Sequence, residues 1–403
     1  MSEKELDARI EKLRKGDLEV RFPGGESPAG EVRYELIRHH FPFGTTVNAR
    51  LLLDDPVKNQ NARRYQETLR LRFNCAVAEN AHKWYAMEQE QGKPRDDEAL
   101  KVWQRCRELG LEMRGHCVYW GIERYVMPWL KTLDRPALEA AMKSRAGRVL
   151  TLFKDRISEW DLNNEMLHGD YYAKVLGLKN GAVYFKWCKE AAPGVIFYVN
   201  DYNVLQGGSV DRYVAHIREL IEAGAQVGGI GDQAHFSGRV PPSAQVWSIL
   251  DKLGQFKLPV KITEFDIKTK DEQRQAEDTR RFYKLCFAHP AVAGILMWGF
   301  WEGAHWIPEA ALWRKDWSLK PNGEAYLKLM EEWRTKGEAA TEQGALKFRG
   351  FHGTYRLESG GRAWRVTLVP GGPSAEAVSE PAGGGAKRPE ALGLRLNGGE
   401  QRR

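Results

Sequence analysis

The chain has 403 residues, 42% of them hydrophobic, enough to bury a large core as one big α/β domain or as two domains. No run approaches the roughly 18 apolar residues of a membrane span, and residues 1–21 are charged and amphipathic, unlike a secretory signal, so no membrane partner is expected. Of the net charge of +7, +4 falls in residues 341–403, where ten Lys or Arg stand against six Asp or Glu; no nucleic-acid partner is expected from so local an excess.

In chain order, Leu18–Phe22 and Val32–Ile37 read as strands. Eight further strand-like runs follow at Phe43–Val47, Phe73–Ala78, Met113–Tyr119, Ile157–Leu162, Val195–Val199, Gly229–Gly231, Val260–Thr263 and Gly294–Trp298. Segments of helical spacing separate them: Ala62–Leu71, Glu98–Leu109, Pro136–Leu150, Gly181–Ala191, Val210–Ala223, Ser243–Leu253 and Gln273–Phe287, with a last one at Gly323–Trp333. Leu346–Leu357 and Ala363–Val369 read as a hairpin around Ser359–Arg362. Residues 371–403 hold eight Gly and three Pro and read as a disordered tail.

Strands alternating with helices imply parallel β-α-β units, and eight of them fit a closed (β/α)8 TIM barrel better than an open sheet. The expected organisation is an N-terminal extension with strands (1–40), a barrel (41–335), a β-hairpin (344–370) and the tail (371–403). The extensions are expected to pair into a small β appendage on the barrel, because a two-stranded hairpin is only marginally stable alone.

Nearly every predicted strand ends in groups able to hydrogen-bond or titrate. They are A-E-N-A-H-K-W (78–84), R-G-H-C-V-Y-W (114–120), W-D-L-N-N-E (160–165), N-D-Y-N (200–203), G-D-Q-A-H (231–235), T-E-F-D (263–266) and W-G-F-W-E-G-A-H-W (298–306). Barrels of this kind carry their chemistry at the C-terminal ends of the strands, which sets these segments around one cleft with Glu264 at its rim.

Glu165 and Glu264, on different strands, are the minimum equipment for cleaving a glycosidic bond. One carboxyl must protonate the leaving oxygen, and the other must attack the anomeric carbon or activate water. Sugars have apolar C–H faces and polar edges, so the indoles of Trp84, Trp120, Trp298, Trp301 and Trp306 in the same segments suit a carbohydrate cleft, although each alone would also serve as core packing. The five cysteines are scattered without C-x-x-C spacing and read as small buried side chains; no metal-ligand or phosphate-loop motif occurs, and no metal or cofactor is expected.

These residues resemble the family 10 glycoside hydrolases, whose characteristic members are retaining endo-β-1,4-xylanases. The resemblance runs from Phe41 to Trp333 and rests on ordered motifs: F-G-T-T-V-N, V-A-E-N-A-H-K-W, R-G-H-C-V-Y-W, W-D-L-N-N-E, N-D-Y-N, Q-A-H, I-T-E-F-D-I and W-G-F-W-E-G-A-H-W. It implies Glu165 as general acid/base and Glu264 as nucleophile, with carboxyl groups roughly 5 to 5.5 Å apart. It implies Asn164 on the 2-hydroxyl of the sugar at the cleavage point, and His235, backed by Asp266, orienting Glu264. His116 and Trp120 would line the nucleophile's subsite, while Glu79, Asn80 and Lys83 would hold the next sugar on the non-reducing side, covered by Trp298 and Trp306. Gln233 and Tyr202 would lie nearer the acid/base and the leaving group, and His168, His289 and His352 are read as ordinary hydrogen-bonded histidines.

The chain departs from the family in two places. Where Trp-His followed by Gln is common, it has Trp120-Gly121-Ile122-Glu123, which removes a polar contact from the sugar-binding floor or passes it to another loop. Trp301 and Glu302 occupy a position that is often smaller or different. The expected partners are xylan and xylo-oligosaccharides, acted on by a monomer. Secretion is the expected location, with an export signal absent from this chain and the cytoplasm as the alternative. Two other readings stay open: the same chemistry on another β-1,4 or mixed-linkage glucan or arabinoxylan, and a carbohydrate-binding barrel without turnover.

Overall fold

The computed structural model describes residues 2–25, 28, 30–372 and 374–379; the stretch 380–403 of the expected tail lies outside the described residues. The chain opens with α1 (Glu3–Arg14), β1 (Lys15–Arg21) and β2 (Glu31–His39). Helix α1 is an element that sequence periodicity missed, because only Leu6 and Ile10 on it are buried. Ser2 caps it, with Glu5 reaching back in a reciprocal capping box that satisfies two otherwise orphaned N–H groups.

The barrel strands follow as β3 (Phe43–Val47), β4 (Cys75–Ala78), β5 (Glu112–Trp120), β6 (Glu159–Asn164), β7 (Ile196–Asp201), β8 (Gly229–Asp232), β9 (His235–Ser237), β10 (Val260–Lys268) and β11 (Val292–Met297). All pairings are parallel, in the order β3-β4-β5-β6-β7-β8-β10-β11, and β11 pairs back onto β3, so eight strands close. The glycine-rich sixth strand is interrupted: β9 continues β8 after a break at Gln233–Ala234 and pairs with Asp266–Lys268 of β10. Helices Gln60–Arg72, Asp96–Glu108, Arg135–Leu152, Ala182–Ala191, Val210–Glu222, Ser243–Gly254, Glu272–Ala288 and Pro321–Glu332 surround the strands, matching the expected positions within a few residues. This is the (β/α)8 TIM barrel.

Buried parallel strands read as continuous apolar runs because both faces are covered, and β3, β4 and β8 are buried at every position. The end of the barrel opposite the cleft is sealed by Phe41, Phe43, Phe287 and Trp333, whose rings pack at 4.4 to 5.5 Å. Arg14 fastens α1 there, its guanidinium donating to the carbonyls of Phe287, His289 and Val292 at 2.7 to 2.9 Å.

The terminal segments form more than a hairpin. The run Leu346–Leu357 is two strands, β13 (Ala345–Phe351) and β14 (Gly353–Ser359), broken at His352. With β12 (Lys336–Ala340), β15 (Arg362–Leu368), β16 (Ser374–Glu376) and β17 (Val378–Ser379) they make a three-stranded sheet, β13-β1-β16, and a five-stranded one, β12-β2-β14-β15-β17. The β14–β15 turn is Gly360-Gly361, with φ of 54° and 76°, the left-handed pair that a two-residue hairpin needs. All five cysteines are buried and free. Among the described residues no helix is long and apolar enough to cross a membrane.

Candidate active site

Strand β10 does not stop at Glu264. It runs to Lys268, so Glu264 and Asp266 alternate with Phe265 and Ile267, and a period of two turns both carboxylates toward the barrel axis while the apolar pair packs outward. Glu264 is therefore buried, 5% exposed, rather than on a rim. Glu165 directly follows β6 in a left-handed conformation, φ 63°, and Ala234, at the break before β9, has φ 58°. Left-handed backbone at a non-glycine residue costs of order 1–3 kcal/mol and persists where the surroundings hold it. Here Glu165 N–H donates to the Asn200 carbonyl at 2.8 Å, and Ala234 N–H donates to Asp232 Oδ1 at 2.7 Å.

One chain of amide hydrogen bonds joins the two glutamates. Asn200 Nδ2 donates to Glu264 Oε1 and to Asn164 Oδ1, both at 2.9 Å, and Thr263 Oγ1 donates to Asn200 Oδ1 at 2.7 Å. Gln233 Nε2 lies 3.4 Å from Asn164 Oδ1 and donates to Glu165 Oε1 at 3.0 Å, while Trp120 Nε1 donates to Glu165 Oε2 at 2.9 Å. His235 Nε2 meets Glu264 Oε2 at 3.2 Å, and its Nδ1 lies 3.0 Å from Asp266 Oδ1.

The two carboxyl groups are pushed apart in acidity. Burial and the nearby charge of Glu264 raise Glu165 above the ordinary carboxylate range, against the opposing hydrogen bonds from Gln233 and Trp120. Burial also works against ionisation of Glu264, but the hydrogen bond from His235 and the proximity of His116, His235 and Lys83 outweigh it and hold Glu264 below the ordinary range. Burial opposes the charge on His235 too, yet Asp266 and Glu264 push it up to about 10.

Beneath His116 lies a buried ionic stack. His116 Nδ1 meets Asp161 Oδ2 at 2.8 Å, Asp161 is gripped by Arg114 through two bonds of 2.7 and 2.8 Å, and Arg114 faces Glu159, which Lys261 pairs. The R-G-H motif needs its glycine: a Cβ on Gly115 would fall 1.9 Å from the Trp160 indole.

On the side of β3 and β4, Lys83 Nζ sits 4.5 Å over the Trp120 ring and 5.8 Å over that of Trp298. Glu79 Oε2 accepts from Asn48 Nδ2 at 3.3 Å, and Asn80 Oδ1 from the Tyr85 hydroxyl at 2.6 Å. A cavity of about 410 Å³ opens beside Glu79 and Asn80, bounded also by Asn48, Arg50 and Glu98. Trp298 packs edge-on to His116 at 5.2 Å, whereas Trp306 is 53% exposed and donates to Asp266 Oδ2 at 2.8 Å.

Several expectations change in the folded chain. Trp120 hydrogen-bonds the partner glutamate, Glu165, rather than only lining the pocket of Glu264. Trp84 is core, packed against Tyr119, Trp129 and Tyr172, and Trp301 is buried in a parallel stack on Trp317 at 4.7 Å. Glu302 accepts from the Lys315 N–H at 2.9 Å, so this departure braces a loop. At the other departure Gly121 presses on Asp170, where a Cβ would come within 2.9 Å of Oδ1, and Tyr125 stacks on Trp120 at 3.8 Å.

His168 lies beside the site: it meets Asp201 Oδ1 at 2.8 Å and stacks on Tyr202 at 3.6 Å. Its only sequence signal is its place three residues after Glu165. Asn200 and Thr263 were also missed, although both stand in polar strand-end segments. Neither can titrate, and nothing local shows that they bridge two strands. Among the described residues no group of three or more His, Cys, Asp or Glu is placed to hold a metal ion.

The glycosyl hydrolase family 10 model matches residues 34–329. Endo-1,4-beta-xylanase 1 of Arabidopsis thaliana is 33% identical over 88% of this chain and 37% of its own length. The anti-sigma-I factor RsgI6 of Acetivibrio thermocellus is 34% identical over 88% of this chain and 46% of its own. The chain thus spans less than half the length of these curated relatives. Among solved structures, native xylanase 10B from Thermotoga maritima superposes with a TM-score of 0.66 at 24% identity, covering 72% of this chain and 95% of that one. Xylanase 10B from Thermotoga petrophila, in complex with xylobiose, gives 0.66 at 25% identity over 72% and 94%. A family match across the whole barrel, on a chain whose strand ends converge on two unlike glutamates, fixes the assignment: this chain belongs to glycosyl hydrolase family 10.

Proposed function

We propose that the chain is a retaining endo-1,4-β-xylanase, with Glu264 as nucleophile and Glu165 as acid/base, acting on xylan and xylo-oligosaccharides. The observation that carries this reading is the hydrogen-bond chain that links Glu264 through Asn200, Asn164 and Gln233 to Glu165, with Glu165 held toward its acid and Glu264 toward its anion. The xylanase names of the relatives and the xylobiose bound by a structural neighbour support the substrate class.

In the first step Glu264 attacks the anomeric carbon while the proton of Glu165 passes to the departing glycosidic oxygen, leaving a glycosyl ester on Glu264. With the charge of Glu264 spent in the ester, Glu165 loses the repulsion that favoured its acid form and becomes the base for an incoming water. Attack by that water releases Glu264 and the sugar with its original configuration. Asn164 accepts from Asn200 and Gln233 on its oxygen, which turns its NH₂ toward the sugar as a donor to the 2-hydroxyl. His235, charged between Asp266 and Glu264, orients the nucleophile. Glu79, Asn80, Lys83, His116, Trp298 and Trp306 provide the polar edges and flat faces that a pyranose needs on the non-reducing side, and Tyr202 provides a ring on the leaving side.

The direct test compares oligosaccharide release from beechwood xylan, arabinoxylan, carboxymethyl cellulose and mannan by the wild type and Glu264→Ala. Xylo-oligosaccharides from the wild type alone support the reading, and folded wild type that releases none from any xylan sinks it. A second reading is a carbohydrate-binding barrel without turnover, in which the same cleft holds the sugar but the two glutamates do not cleave it. Binding of xylan without release would select it.

A further inference from the structure

We propose that Arg145 is a positioning residue for the sugar on the non-reducing side of the cleavage point, setting from below the spacing between the Lys83 turn and the strand that carries His116 and Trp120. The inference rests on the reading of the cleft given above. Arg145 projects from the Arg135–Leu152 helix and is fully buried, 1% exposed. Its guanidinium makes no use of a carboxylate. Nη2 donates to the carbonyls of His82 at 2.5 Å and Cys117 at 3.3 Å, Nε to that of Val118 at 3.3 Å, and Nη1 lies 3.1 Å from Met87 Sδ.

A buried cation with no carboxylate in contact is a poor way to stabilise a core; an apolar side chain of similar volume does as well or better. What only the guanidinium fork supplies is several donors in a fixed plane, here fastening carbonyls from two separate segments. His82 immediately precedes Lys83, in the turn that also carries Glu79 and Asn80. Cys117 immediately follows His116, and Val118 stands two residues before Trp120. The His82 ring packs on Phe153 and Trp160, so the side chain sits in the core while its carbonyl is the group that Arg145 holds. Arg145 thus ties the segment that carries Lys83 directly to the strand that carries Trp120, whose ring lies 4.5 Å from the Lys83 ammonium.

The test uses Arg145→Lys and Arg145→Met with an aryl β-xyloside, which fills only the subsite of the nucleophile, and an aryl β-xylobioside, which also reaches Lys83. The ratio of their kcat/KM values reports the second sugar and is insensitive to how much enzyme is folded. The ratio is expected to fall about tenfold in Arg145→Met, chiefly through KM for the xylobioside, with Arg145→Lys in between. A structural role alone lowers both substrates by one common factor and leaves the ratio unchanged, which overturns the proposal. Should Arg145→Met fail to fold, Arg145→Lys carries the same comparison. Titration of xylobiose into wild type and Arg145→Lys repeats it without turnover: weaker binding by the folded variant supports positioning, and equal binding refutes it. A wild type that binds xylobiose but cleaves neither aryl glycoside would sink the catalytic reading while leaving Arg145 judged by the titration.

Discussion

Asn200 Nδ2 donates to Glu264 Oε1 at 2.9 Å and to Asn164 Oδ1 at 2.9 Å, so one buried amide sets both the nucleophile candidate and the residue proposed to hold the sugar's 2-hydroxyl. Replacing Asn200 by Ala leaves a buried carboxylate and a buried amide each short of a donor. A hydrogen bond to a charged group contributes about 1.5–3 kcal/mol, so kcat on xylotetraose should fall about 10- to 100-fold with the fold intact by circular dichroism. A kcat within a factor of two of wild type would show that Glu264 is held without it.

The pH profile of kcat/KM should be bell-shaped, with the acid limb set by Glu264 below the ordinary carboxylate range and the alkaline limb by Glu165 above it. The Trp120 indole N–H stabilises the ionised form of Glu165. Its loss in Trp120→Phe should therefore move the alkaline limb upward, by about one pH unit, and leave the acid limb in place. A downward shift would contradict the assignment of Glu165 to that limb.

His235 carries a raised pKa, about 10 in the folded chain against an ordinary value of 6.5. A raised value means that its contribution to stability is full below pH 6.5 and is lost as pH climbs through about 10. Thermal melts of the wild type should show this decline between those limits. In Asp266→Asn the partner charge is gone and the same interval should be flatter; equal slopes in the two proteins would place the titrating group elsewhere.

Gly115→Ala is expected to be among the most damaging single substitutions in the barrel. The new methyl group would overlap Trp160, whose indole lies 1.9 Å from the ideal Cβ position. Trp160 is fully buried with no room to retreat. Overpacking of this degree should cost about 3 kcal/mol or more, read as a drop in the urea midpoint, and activity should fall in step because His116 is the next residue.

The run Val260–Thr263 is legible as a strand because it is apolar, but Phe265 and Ile267 alternate with Glu264 and Asp266, and charged alternation inside a buried barrel looks like a chain leaving the sheet. Pairing with β9 decides otherwise, and β9 is set by a left-handed Ala234 that no local pattern announces. Trp84 and Trp301 show the reverse error. An indole beside polar residues suits a sugar platform as well as a core, and only the packing of Tyr172 and Trp317 against them settles the matter.

The eight-stranded barrel and the polar segments at its strand ends are legible in the amino-acid order alone, because hydrophobic periodicity and residue identity are local properties of the chain. Which group each side chain meets emerges only on folding: Trp120 on Glu165, Asn200 across to Glu264, Arg145 beneath two segments of the cleft. Those contacts depend on strand register and side-chain direction between residues tens of positions apart, and no local pattern encodes them.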